Sequence, residues 1–143
     1  MILNKVLVDT NICLDAALYR SPFAVHAYEI IERSEKNEFS GMVAGHSLDT
    51  MFYLLRKRKN KNETYELLKD YRRAFGVCAV TQSVIDDALD SNWNDFEDAI
   101  QYYSAKECGC DAVVTRNTTD FTASDLPVFS PGEFLAQFKN ENL

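Results

Sequence analysis

The sequence predicts an α/β chain: a three-layer α/β/α sandwich around a central parallel sheet of four to five strands. Two observations predict it. Short apolar runs alternate with stretches of helical spacing, which implies parallel strands covered by helices on both faces. No repeat, low-complexity tract or linker interrupts the alternation over the 143 residues, so residues 1–143 are expected to form one domain.

Ile2 to Val8 reads as the first strand, ending on Asp9, and Asn11 to Tyr19 as a helix. Pro22 suits the first turn of a second helix, which carries Val25, Tyr28, Ile30 and Ile31 and breaks at Glu35-Lys36-Asn37. Gly41 to Ala44 is a second strand, and Ser47 reads as the N-cap of a helix over Leu48–Leu55. Thr64 to Phe75 places Tyr65, Leu68 and Tyr71 at helical spacing, with Gly76 as terminator. Val77 to Val80 is a third strand, Ser83 to Leu89 a helix, and Ser91 to Asn94 a polar turn. The helix that follows opens with Asp95, Glu97 and Asp98 and closes at Gly109, acids in the first turn suiting its dipole. Asp111 to Thr115 is a fourth strand, Arg116 to Phe121 a loop, Pro127 to Phe129 a last strand, and Pro131 the start of a final helix.

Composition narrows the class. The chain is 46% hydrophobic and 26% charged, ordinary material for a packed core rather than disorder. No apolar stretch approaches the roughly 20 residues that cross a bilayer, and no small-residue cleavage site follows a charged start. A soluble cytoplasmic chain with no membrane association is expected. The net charge of −7 argues against coating nucleic acid by bulk attraction. It leaves room for a nuclease, because carboxylates that hold a divalent cation are acidic before the cation arrives. Arg56, Lys57, Arg58, Lys59 and Lys61 form a local basic run, either a solvated helix end or a contact for an RNA backbone. Cys13, Cys78, Cys108 and Cys110 are irregularly spaced and read as free thiols, with no pairing at metal-like spacing. His26 and His46 are isolated and read as surface or capping residues.

The carboxylates carry the functional argument. Ligands of an open parallel sheet bind beyond the carboxyl ends of strands, where the strand order switches. Asp9 ends the first strand, Asp98 opens the helix before the fourth, and Asn117 and Asp120 follow the fourth. Singly, each has a structural explanation as a cap or turn former. If the first and fourth strands are neighbours, they converge. Asp95 and Asp98 are three apart and share a helix face, while Glu97 points elsewhere. A site rich in Asp oxygens suits Mg²⁺ or Mn²⁺ rather than zinc.

The stretches "VLVDTN" and "DAIQYYSAKECGCDAVVTRNTTDF", with the order of elements between them, resemble a PIN domain. More narrowly, the chain is similar to small bacterial PIN proteins related to VapC-type toxins, from about Lys5 to the final helix. The resemblance implies a Mg²⁺- or Mn²⁺-dependent endoribonuclease, with a possible antitoxin protein and a possible homodimer as partners besides the RNA substrate. By position, Asp9, Asp98 and Asp120 match the metal-binding acids. Thr10, Asn11, Thr115 and Asn117 match polar positions lining the site, and Asp95 lies beside them. One departure stands out. The family pattern places a Glu in the helix after the second strand, and in "HSLDTMFYLLRK" that position falls on Thr50, with Asp49 adjacent as a substitute. A catalytically weak PIN-like module that binds RNA or protein is therefore the alternative function. Two other α/β enzyme types fail on residue identity. A haloacid-dehalogenase-type phosphatase needs a second Asp where this chain has Asn11, and a receiver domain needs an acid at the end of the third strand, which reads Val80-Thr81.

Overall fold

Residues 4–141 are described by a computed structural model, and along them strands and helices alternate in the expected order. The elements are β1 (Lys5–Val8), α1 (Thr10–Ala17), α2 (Ala24–Glu35), β2 (Ser40–Ala44), α3 (Gly45–Leu55) and α4 (Lys61–Ala74). They continue as β3 (Gly76–Cys78), α5 (Gln82–Asp90), α6 (Phe96–Cys108), β4 (Ala112–Val114), β5 (Val128–Phe129) and α7 (Pro131–Glu141). A 3₁₀ turn at Thr118–Phe121 follows β4. Ile2, the expected start of the first strand, lies outside the described residues.

The sheet is parallel throughout, in the order β3-β2-β1-β4-β5. From β1 the chain steps outward through β2 to β3, then crosses back to place β4 on the other side of β1. The switch point therefore lies between β1 and β4, with Val8 opposite Val114. Strand alternation divides the core between two faces. Val6, Val8, Ala112 and Val114 pack with Ile12, Ile30, Met51, Leu55, Tyr71 and Phe134 from the helical layer of α1, α2, α3, α4 and α7. Leu7 and Val113 pack on the opposite face with Tyr102, Ala105 and Phe121 beneath α6, and α5 lies against α6 through Val84, Ala88, Ala99 and Ile100. This is the three-layer sandwich that the alternation predicts.

Three local expectations change. Ser47 is not an N-cap: α3 starts directly off the strand, with Ala44 as the extended cap residue, and Ser47 is buried one turn inside. Pro22 sits ahead of α2 rather than in its first turn, because the Ala24 N–H closes the preceding turn on the Arg20 carbonyl at 2.8 Å. Gly76 does not terminate α4; it begins β3, and Phe75 leaves the helix in an extended conformation. Met42 packs over this glycine from the neighbouring strand, where a Cβ would lie 2.6 Å from its sulfur and the Met42 side chain would have to shift.

Candidate metal centre

Asp9 continues from β1 at the switch point, and its backbone N–H still pairs with the Val114 carbonyl at 3.0 Å. Its side chain is 2% exposed and almost fully engaged. Oδ1 accepts from the Asn11 N–H at 3.2 Å, capping α1, and from Gln101 Nε2 at 3.2 Å. Oδ2 accepts the Thr115 hydroxyl at 2.6 Å, and that hydroxyl oxygen accepts the Asn117 N–H at 3.1 Å. Asp9 is thus both the cap and a buried carboxylate at the sheet mouth, and Oδ2 keeps a lone pair that no protein donor occupies among the described residues. Neighbouring polar groups brace this arrangement. The Thr10 N–H bonds Gln101 Oε1 at 3.2 Å, and the Thr10 hydroxyl donates to Ser47 at 2.6 Å, tying α1 to α6 and α3.

Helix α6 brings in the second group of acids. Asp95 is its N-cap, accepting the Asp98 N–H at 2.9 Å. Asp98 is half-buried, and its own carboxylate has no hydrogen-bond partner among the described residues. Burial, then the charges of Asp9, Asp95, Asp120 and Glu97, push its pKa up to about 7. Glu97 is shifted upward by burial and then by Asp9 and Asp95. Glu97, which helix-face reasoning sets apart, is thus half-buried and within reach of the Asp9 and Asp95 charges. Asp120 is exposed on the 3₁₀ turn, close enough to act on Asp98.

The substitute acid Asp49 is not part of this group. It is exposed on α3 and lines an outward groove with Thr50, Phe52, Tyr53, Leu54, Arg56 and Lys57, and it is absent from the charges acting on Asp98 and Glu97. The physical reason is the rotation of α3. Met51 and Leu55 take the buried side, so position 49 turns outward. His46 is not a surface residue either. Both its ring nitrogens are buried without a partner among the described residues, and burial holds its pKa below the usual imidazole value against the opposing Glu97 backbone.

Sequence reasoning missed Gln101 and Asp15. Gln101 is fully buried and bridges Asp9 and Thr10; its placement three residues after Asp98 on the same helix face was the available signal. Asp15 is 1% exposed in α1 and receives Arg116 Nε at 2.8 Å and Nη2 at 3.3 Å, with Arg20 at 3.5 Å. A lone Asp in the apolar stretch "CLDAAL" is the trace it left. This pair anchors the loop carrying Asn117 and Asp120, and the Arg116 guanidinium also stacks 4.2 Å from the Phe23 ring centre.

The all-oxygen donor set fits a hard divalent cation, and Asp9 Oδ2, Asp98 and Asp120 are the residues that could hold one. The acids are spread wider than a closed shell: among the described residues no three carboxylate oxygens lie within 4.8 Å of one another. A pH dependence follows. Without a cation the folded chain holds a proton on Asp98 that the unfolded chain has already lost above about pH 4. Stability should therefore fall as pH rises from about 4 to 7 and level off above it. Melting temperatures in chelator, measured across that range, should decline in the wild type and flatten in Asp98→Asn. Added Mn²⁺ should restore the wild type at neutral pH.

A family model described as "PIN domain" matches residues 5–119. Ribonuclease VapC1 of Aquifex aeolicus (strain VF5) is 25% identical over 136 residues, covering 92% of this chain and 93% of that protein. Two solved structures share the fold. VapBC2 of Rickettsia felis, bound to a DNA fragment from its promoter, superimposes with a TM-score of 0.66 at 16% identity, covering 88% of this chain and 98% of the other. A toxin–antitoxin complex from Klebsiella pneumoniae gives 0.64 at 21% identity, with 88% and 97% covered. With its sheet order, its switch-point carboxylate and this match across most of its length, the chain belongs to the PIN domain family.

Proposed function

We propose that this chain is a Mg²⁺- or Mn²⁺-dependent endoribonuclease, the toxin of a cytoplasmic toxin–antitoxin pair. The observation that carries the reading is that Asp9, Asp98 and Asp120, from three separate parts of the chain, lie near enough to act on one another: burial first, and then the charges of Asp9, Asp95, Asp120 and Glu97, lift Asp98 to about 7. The similarity to Ribonuclease VapC1 and to toxin–antitoxin complexes supports the substrate class and an antitoxin partner. A homodimer belongs to the same reading.

When bound, the divalent cation supplies the Lewis acidity that activates water and offsets charge on the oxygens of a phosphodiester. The chain's own residues do the positioning. Thr115, Gln101 and the Asn11 N–H lock the Asp9 carboxylate, leaving Oδ2 as the oxygen presented to a cation. Asp98 and Asp120 complete the oxygen set, and Asn117 lies beside them on the Thr115 hydroxyl. Glu97 supplies the further negative charge that Asp49 does not. The exposed run Arg56, Lys57, Arg58 and Lys61 offers phosphate contacts away from the acids.

The placement of Asp49 outside the cluster favours one second reading, a PIN-like module that holds RNA or protein without cutting. Incubating mixed RNAs with the purified chain separates the two. Cleavage in Mn²⁺ that stops in excess chelator is expected. Equal cleavage in chelator sinks the metal-dependent mechanism, and retained RNA with no product after long incubation in Mn²⁺ supports the binding module.

A further inference from the structure

Helix α6 carries carboxylates at its start and thiols at its end. Ten residues separate Asp98 from Cys108, about 15 Å at the helical rise per residue. At the far end, Cys78 from the last position of β3 meets Cys108 and Cys110. One sulfur from each of the three lies within 4.8 Å of the others, and Cys78 and Cys110 are 3.9 Å apart. Among the described residues this is the one set of three His, Cys, Asp or Glu side chains gathered to such distances. Its sequence signal was invisible because Cys78 is 30 positions from Cys108 and reaches it only through the packing of α6 on the sheet.

We propose that Cys78, Cys108 and Cys110 form a second metal site, for a thiophilic dication such as Zn²⁺, separate from the carboxylate cluster. Distance excludes a formed disulfide and leaves room for a cation. Metal–sulfur bonds of about 2.3 Å in a tetrahedron hold neighbouring sulfurs about 3.8 Å apart, whereas a disulfide needs about 2.05 Å. The 3.9 Å separation excludes a formed disulfide and is compatible with a shared cation, as it is with two thiols in contact. Three thiolates would leave a fourth position for water or another ligand, and Cys108 is the one partly exposed residue of the three.

The surrounding chain is built to hold the three in place. Gly109, at φ +79°, takes the left-handed turn that ends α6 and returns the chain at once, so that Cys108 and Cys110 flank a single tight cap. The Cys110 N–H bonds back to the Ala105 carbonyl at 2.9 Å. Lys5 clamps both sides of this turn: its ammonium donates to the Cys108 carbonyl at 2.6 Å and its backbone N–H to Asp111 at 3.0 Å. Thr81, three residues beyond Cys78, donates its hydroxyl to the Glu107 carboxylate at 2.9 Å, pinning the β3 side to the residue before Cys108. Three thiolates around a dication leave one net negative charge, and Lys5 is the cation fixed beside it.

The test uses the full chain, fully reduced, in excess Mg²⁺, which suits the carboxylates and has little affinity for thiolates. Titration with Co²⁺ should raise a thiolate-to-cobalt charge-transfer absorption that saturates at one equivalent per chain, and one equivalent of Zn²⁺ should erase it. Cys108→Ser should weaken Co²⁺ binding at least tenfold, and Cys110→Ser likewise where circular dichroism shows it folded. Cys108 is partly exposed, so its variant tests the site without emptying the core. Cys13→Ser and Asp98→Asn should leave the absorption unchanged. The proposal is overturned if the reduced chain gives no charge-transfer band, if the band survives intact in Cys108→Ser, or if it is lost in Asp98→Asn.

Discussion

Replacing Asp9 with Asn should lower Mn²⁺-dependent RNA cleavage by about 10³-fold, roughly 4 kcal/mol of transition-state stabilisation, while the chain stays folded. The two halves of that expectation come from different atoms. Oδ1 does the structural work, receiving the Asn11 N–H and Gln101 Nε2, and an Asn side chain keeps that oxygen. The negative charge is shared by both oxygens, Oδ2 keeps the free lone pair, and an Asn loses the charge and puts in place of Oδ2 an NH₂ group that offers a cation nothing. Thr115, which donates to Oδ2, turns its hydroxyl to accept instead. Initial rates in Mn²⁺ beside far-ultraviolet circular dichroism check both halves. Activity within tenfold of the wild type would remove Asp9 from the reaction.

The second large effect is on stability. Arg116→Ala should cost about 3 kcal/mol, read from urea unfolding, with a fall in melting temperature of about 6–12 °C. It strands the carboxylate of Asp15, whose side chain is 2% exposed, with only the longer contact to Arg20 at 3.5 Å. Asp15→Ala should cost less, because the freed Arg116 is 24% exposed and can return to water. A surface ion pair would show the same small loss, below about 1 kcal/mol, from either side. Arg116→Ala should also reduce cleavage, since the loop it ties to α1 carries Asn117 and Asp120.

How much of this was legible in the sequence depends on what each feature required. The strands and helices follow from local periodicity, and the acids at Asp9, Asp98 and Asp120 stand where chain direction alone places them, at strand ends and a helix start. Their convergence needed one further fact, that β1 and β4 are neighbours, and the register of Val8 on Val114 supplies it. Features that depend on the rotation of a helix about its own axis were out of reach. Asp49 stands outside the cluster for this reason: one residue is about 100° of turn, and only packing decides which side faces in. Pairings across long separations, Arg116 with Asp15 and Cys78 with Cys110, depend on tertiary neighbours that no local pattern encodes.

Gln101 shows how narrowly a single position can be specified. Its side chain lies between an acceptor, the Asp9 carboxylate, and a donor, the Thr10 N–H. Only a terminus that gives at one end and receives at the other satisfies both, and the amide fits in one orientation of two. Glu has the same shape and the wrong polarity toward Asp9; Met has nearly the same length and no polarity at all. What the site reads at this position is the direction of a dipole rather than a volume. A change that conserves size, the kind most protein cores absorb with ease, is here the one the neighbourhood is least able to accept.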